Sequence, residues 1–144
     1  MALLIGEPQS KKLINMGRAI DLLDKMFSDR SAGKIRGLPR RRLKGNEKQI
    51  NIMAAWHQGY DLFCLRAYIG QANTVTLYNG KSGQIQAIIN MGYLSSLRTG
   101  AATGVAAKYL APPNAKTLGV IGPGWPRPGR TPRWPARRSA PAPG

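Results

Sequence analysis

The chain has 144 residues, with 22 Lys and Arg, 6 Asp and Glu, 42% hydrophobic residues and a single cysteine, Cys64. That length suits one ordinary domain, the hydrophobic share argues against wholesale disorder, and one cysteine excludes an intrachain disulfide. The formal charge of +16 invites a nucleic-acid reading, but it is unevenly spread. Five of the basic residues lie in 126–144, so residues 1–125 hold 17 against all six acids, a net of +11. No apolar run is long enough to span a membrane, and Met1-Ala-Leu-Leu-Ile is too short for a signal-peptide core, so a cytoplasmic chain is expected.

In chain order, residues 10–33 carry a helical pattern. Met16, Ile20, Leu23 and Phe27 fall on one face, with Ser10 as the expected N-cap and Gly33 as the stop. Residues 34–48 read as a basic, turn-rich loop around Arg40-Arg41-Arg42. Ile50 and Ile52 alternate with polar residues as a half-buried strand does, and 62–69 (Leu-Phe-Cys-Leu-Arg-Ala-Tyr-Ile) form a more buried strand. Residues 74–78 and 84–89 form a hairpin closed by Asn79-Gly-Lys-Ser-Gly83. A second helix runs from Ser95 or Ser96 to Leu110, with a small-residue face of Leu97, Ala101, Gly104 and Ala107, and Pro112-Pro113 ends it. A strand at 117–121 leads into Gly122-Pro-Gly124.

That glycine turn is two thirds of a dinucleotide fingerprint. The first glycine makes the tight turn and the second lets the backbone approach a pyrophosphate, but position 127, which should be small, is Arg127. A helix must follow to hold the pyrophosphate, and Pro126, Pro128, Pro132 and Pro135 oppose one. Residues 126–144 are low-complexity Pro, Arg, Ala and Gly, expected to be disordered. Such alternation is what GC-rich codons give out of frame, which points to a frameshift after Trp125.

Arg98 stands in the first turn of the second helix, where a guanidinium beside free backbone N–H groups suits a carboxylate or phosphate; a solvated helix arginine is the other reading. Arg66, inside an apolar strand, must snorkel, pair or meet an anionic ligand, unless it stands on an exposed edge strand. His57 is the only histidine, no cluster has metal spacing, and no serine or cysteine nucleophile has a base. Tyr60, Phe63 and Tyr68 are spread as core residues are, not as a base-stacking platform.

The stretch Met91-Gly-Tyr-Leu-Ser-Ser-Leu-Arg-Thr-Gly-Ala-Ala-Thr-Gly-Val-Ala-Ala-Lys-Tyr-Leu-Ala111, followed by Pro113-Asn-Ala-Lys-Thr-Leu-Gly-Val-Ile-Gly-Pro-Gly-Trp125, resembles the ornithine cyclodeaminase/mu-crystallin family, and the resemblance covers residues 10–125. It implies an α/β fold. Residues 1–113 would be an N-terminal substrate and dimerisation domain, 114–125 the first strand and glycine turn of a truncated Rossmann unit, and 126–144 an aberrant tail. It implies NAD or NADP as cofactor in the intact parent, an amino or imino acid substrate, and a homodimer. The reaction would be ornithine to proline with loss of ammonia, imine reduction or amino-acid dehydrogenation. Carried over position by position, Arg40, Arg66 and Arg98 face the substrate, and Arg98, Gly122, Gly124, Trp125 and Pro126 face the cofactor. Arg66 stands where the family has a lysine, and arginine cannot give up a proton as lysine can. The proton-donor aspartate would lie beyond the break, so this chain is expected to bind no cofactor and to lack catalysis. The rivals are a small basic nucleic-acid-binding protein using the Arg-rich loop and tail, and a cofactor-free binding module of the same family.

Overall fold

A computed structural model of the chain describes residues 1–117 and 119. Strand β1 (Leu3–Ile5) is followed by helices α1 (Glu7–Leu13) and α2 (Met16–Ser31). Then come strands β2 (Ile35–Gly37), β3 (Arg41–Lys44), β4 (Gln49–His57), β5 (Leu62–Ile69), β6 (Ala72–Asn79) and β7 (Ile85–Asn90), and helix α3 (Gly92–Leu110). The fold is the expected mixed α/β. The glycine turn, Trp125, Pro126 and the tail lie outside the described residues, as does most of the strand expected at 117–121.

The first helical pattern is two helices, not one. Pro8 starts α1 ahead of the expected cap, and Ser10 is a buried residue inside it, donating its hydroxyl to Gly6 O at 3.0 Å. The chain turns extended at Ile14, and the Asn15 side chain accepts from Arg18 N at 3.0 Å, so Asn15 caps α2. Gly33, at φ +73°, ends that helix as expected.

The sheet has seven strands in the order β1-β7-β6-β5-β4-β2, with β3 sharing the β4 edge beside β2. All pairs are antiparallel except β1 with β7. The basic loop expected at 34–48 therefore supplies two strands: β2 pairs the end of β4 (55–57) and β3 its start (49–52). The β6–β7 turn closes as expected, with Asn79 Oδ1 accepting from Lys81 N and Ser82 N at 3.0 and 2.9 Å. The same turn needs Gly80, because a Cβ there would collide with Asp61 of the neighbouring β4–β5 turn.

Strand alternation gives the sheet an inner and an outer face. The register puts Met53, Arg66 and Val75 on one face, and Ala54, Leu65 and Thr76 on the other. The helices lie over the inner face, tied to it by Arg66 to Ser95 and His57 to Asp29. The principal core is between helices: Ala19 and Ile20 of α2 meet Leu97, Ala101 and Val105 of α3. Ala107, expected on the buried face, is exposed, and Val105 packs in its stead. Close approach depends on Gly100, where a Cβ would stand 3.1 Å from Met16 Cε. Helix α3 also begins earlier than expected, at Gly92, whose N–H donates to Asn90 Oδ1 at 2.9 Å.

Candidate anion-binding site

The middle of the inner face carries charge. Arg66 sits in β5, flanked by β4 on one side and β6 on the other, which overturns the edge-strand reading. It is half-buried, and its guanidinium is fixed from two directions. Nε donates to Asn73 Oδ1 at 3.1 Å, and Nη2 donates to Ser95 Oγ at 3.0 Å. Asn73 comes from β6, paired directly with Tyr68, and Ser95 from the first turn of α3. One side chain thus joins the sheet to the helix.

The other two predicted cations gather around it. The Tyr68 ring lies 5.1 Å from the Arg66 guanidinium carbon and 6.0 Å from that of Arg40. Arg40 precedes β3, whose register sends Arg41 outward, opposite Ile52, and Arg42 inward, where its Nε donates to Asn51 Oδ1 at 3.3 Å. Arg98 is exposed and stands one helical turn beyond Ser95, on the same side of α3; because α3 begins at Gly92, Arg98 lies in its second turn and not beside the free N–H groups expected there. Burial first, then the charges of Arg98 and Arg40, press the pKa of Arg66 below the ordinary arginine value, while Tyr68 opposes them. Arginine stays charged under such pressure.

Among the described residues nothing nearby completes a nucleophile or a metal centre. Burial pushes the Cys64 thiol up, which keeps it protonated and inert. His57 accepts from Gly59 N at Nδ1 (3.1 Å) and faces Asp29 with Nε2 (3.3 Å), away from the arginines. No group of three metal-ligating side chains exists among the described residues. Tyr60 (59% exposed) and Phe63 (49%) are not core residues, contrary to expectation. They sit in a turn preceding β5 and on the outer face of β5, while Tyr68 is on the inner face.

Sequence reasoning passed over Asn73 and Ser95. Asn73 lies just before the segment taken as the hairpin strand, and Ser95 was a helix boundary. The short Gly70-Gln71 turn, with Gly70 at φ +54°, was the available signal, because it sets Asn73 opposite Tyr68.

Of the residues assigned to the cofactor, only Arg98 is described. An exposed guanidinium outside every ion pair among the described residues fits a phosphate or carboxylate oxygen. Gly122, Gly124, Trp125 and Pro126 lie outside those residues.

Comparison with known proteins matches residues 8–127 to the model of the ornithine cyclodeaminase/mu-crystallin family. The alanine dehydrogenase of Archaeoglobus fulgidus is 30% identical over 129 residues, covering 83% of this chain and 40% of that protein. A Δ1-pyrroline-2-carboxylate reductase of Bacillus cereus is 31% identical over 138 residues, covering 85% of this chain and 42% of the reductase. Among solved structures, an archaeal alanine dehydrogenase dimer with bound NAD superposes with a TM-score of 0.69 at 27% identity, covering 78% of this chain and 38% of that one. The chain therefore spans about two fifths of the length of these relatives. None of these matches supports the nucleic-acid reading. Among the described residues no helix is long and apolar enough to cross a membrane.

Proposed function

The chain belongs to the ornithine cyclodeaminase/mu-crystallin family, and we propose that it carries the substrate side of a cytoplasmic, NAD(P)-dependent enzyme acting on an amino or imino acid. Residues 1–113 are the substrate and dimerisation domain and 114–125 the opening of the cofactor domain. The observation that carries this is the Arg66–Ser95 hydrogen bond. It draws the β5 cation against α3, one turn from Arg98, with Arg40 across Tyr68.

In the complete enzyme the nicotinamide supplies a hydride acceptor or donor. Arg98, Gly122, Gly124, Trp125 and Pro126 would hold the cofactor. Arg66 and Arg98 bind and orient the substrate carboxylate, and Arg40 strengthens the local positive potential. Arg66 holds its proton throughout, so the proton transfers of the reaction fall to a group outside the described residues. The described residues bind the substrate carboxylate, and the 126–144 frame is a shifted one. Resequencing codons 120–145 tests the last point: a shifted frame that reads on as helix, strand and acidic residue supports it, and one that runs into stops removes it.

The outer sheet face supports a homodimer. Phe63, Leu65, Ile69 and Ile52 are all more than a third exposed there, and Trp56 packs its ring 6.1 Å from Phe63 beside them. A second copy of the chain covers this face.

Calorimetric titration with L-proline and L-alanine tests the site. Binding is expected in the millimolar range and falls about tenfold in Arg98→Ala, the loss of one charge-assisted contact. NADH is expected to leave the chain's tryptophan fluorescence unchanged. Equal affinity of Arg98→Ala and the parent chain would remove the substrate-side reading.

A further inference from the structure

Asn79-Gly80 is the one place in the chain where an asparagine precedes a glycine. Such a pair is chemically labile. The glycine nitrogen, once a solvent base has taken its proton, can attack the asparagine Cγ, because glycine has no side chain to obstruct the approach. The N–Cγ bond forms, the Cγ–Nδ2 bond breaks, and Nδ2 leaves as ammonia with a proton from water. Water then opens the five-membered imide at either carbonyl. Breaking the new N–Cγ bond leaves aspartate at position 79. Breaking the original peptide bond leaves isoaspartate, with the main chain running through Cγ. The net change is one water consumed and one ammonia released, and nothing is oxidised or reduced.

The fold both invites and restrains this step. Asn79 Oδ1 accepts from Lys81 N at 3.0 Å and from Ser82 N at 2.9 Å, which polarises the carbonyl whose carbon is attacked. The nucleophile, in contrast, is engaged elsewhere: Gly80 N donates to Asp61 O at 2.7 Å. The main chain of Asn79 is also held, its N–H donating to Gln84 O at 2.9 Å and its carbonyl accepting from Gly83 N at 3.0 Å. Asp61 is pinned in turn. Its Oδ1 accepts from Trp56 Nε1 at 3.2 Å, and its φ of +46° is a conformation that the closed turn imposes on a residue with a side chain. Because a Cβ at position 80 would run into Asp61, the contact admits only glycine, the residue that makes the pair labile. The β4–β5 turn is thus a clasp on the β6–β7 turn, and the reaction needs the clasp open.

We propose that Asn79 is a site of spontaneous deamidation whose rate is set by the Asp61 clasp, the imide forming only while the two turns are parted. Local openings of this kind are ordinary excursions of a native protein, and here the chemistry makes one of them irreversible. The isoaspartyl product cannot close again. It carries one more main-chain atom between position 79 and Gly80, so Gly80 N no longer meets Asp61 O while position 79 stays opposite Leu62.

Incubation of the whole chain in mildly alkaline buffer, with peptide mapping by mass spectrometry over time, tests the proposal. Position 79 should gain about one mass unit, amide exchanged for acid, before any other asparagine does, with isoaspartate among the products. The same chain unfolded in urea should convert at least about tenfold faster, since the clasp is then always open. Trp56→Phe keeps the ring and removes the hydrogen bond to Asp61, so it should speed conversion in the folded chain about fivefold, the value of one such bond. Thermal melting of that variant reports that it remains folded. No conversion at position 79 in the folded chain, or earlier conversion of another asparagine, overturns the site. Equal rates in buffer and in urea overturn the clasp, and an unchanged rate in a folded Trp56→Phe chain removes the Trp56–Asp61 bond from the role.

Discussion

The two faces of β5 differ in almost every respect although they alternate along eight residues. Inward point Leu62, Cys64, Arg66 and Tyr68, with the Arg66 guanidinium held by Asn73 of β6 and Ser95 of α3. Outward point Phe63, Leu65, Ala67 and Ile69, with the three large ones 49%, 37% and 39% exposed. A strand buried on one side only should put its apolar residues inward and its charges outward. Here the pattern is inverted at its centre. An apolar row left open to water is unfavourable by about 25 cal/mol per Å² until something covers it. A cation drawn inward is unfavourable until an anion meets it. Both faces are thus incomplete in this chain, and each points to a different kind of partner: a protein surface outside, an anion inside.

The outer face is the easier of the two to disrupt. A charge at Phe63 enters a two-fold interface twice, once from each copy. Phe63→Glu should therefore forfeit about 2–3 kcal/mol per copy and weaken self-association by more than about 100-fold, without lowering the melting temperature of the monomer. Sedimentation velocity across a concentration series checks this. A parent chain that stays monomeric at every concentration would mean that the outer face is covered by something other than its copy. On the inside the expected sign is opposite to that of a structural residue. Arg66→Gln removes a half-buried cation crowded by two others, so stability should hold or rise by up to about 1 kcal/mol while carboxylate affinity falls about tenfold. A clear loss of melting temperature would show that the Asn73 and Ser95 bonds are there to join sheet to helix rather than to aim the guanidinium.

How much of this was legible in the sequence depends on which physical signal carried it. The β5 strand was read with its observed bounds, because eight residues rich in β-formers between turn signals leave little choice. The α/β class, the Asn79–Gly83 turn and the Gly33 stop rest on equally local chemistry. The first helix was read as one because Met16, Ile20 and Leu23 do share a face, whereas the break at Ile14–Asn15 has no proline or glycine to announce it and rests on a single Asn15 cap. Strands β2 and β3 were hidden by composition: a run of three arginines reads as solvated loop, and only pairing with β4 makes it a sheet edge. Arg66 was singled out for the right reason, a charge in an apolar strand. Its partners were not, since Asn73 and Ser95 are 7 and 29 residues away and meet it only through register and helix docking. The same limit applies to Tyr60 and Phe63, which look like core residues by type. Whether an aromatic faces the core or a partner is decided by what packs on that side, which spacing does not encode.

The smallest expected effect concerns what holds the inner face closed at its far end. Asp29, near the C-terminus of α2, is 6% exposed and meets Lys25 at 2.5 Å, Lys34 at 3.6 Å and His57 of β4 at 3.3 Å. The hydrogen bond from Lys25 does most to hold its carboxyl below the usual aspartate range, with Lys34 and His57 adding to it and burial opposing. A carboxylate whose folded pKa is depressed contributes stability that is fully present above its unfolded value, about 3.9, and is lost as pH falls through the lower folded value. The melting temperature should therefore be flat with respect to this group near neutrality and decline below about pH 4. In Asp29→Asn the neutral-pH melting temperature should fall slightly and the acid decline should become shallower, because Asn keeps the shape and has no proton to take up. If the acid limb kept its full slope in that variant, the decline would come from other carboxylates. Asp24, which Lys108 and then Tyr109 hold low in the same way between α2 and α3, would be the first to replace next. The test separates a contact that pins α2 to the sheet from one that only pins the two helices to each other, and only the first would alter how firmly the inner face is roofed.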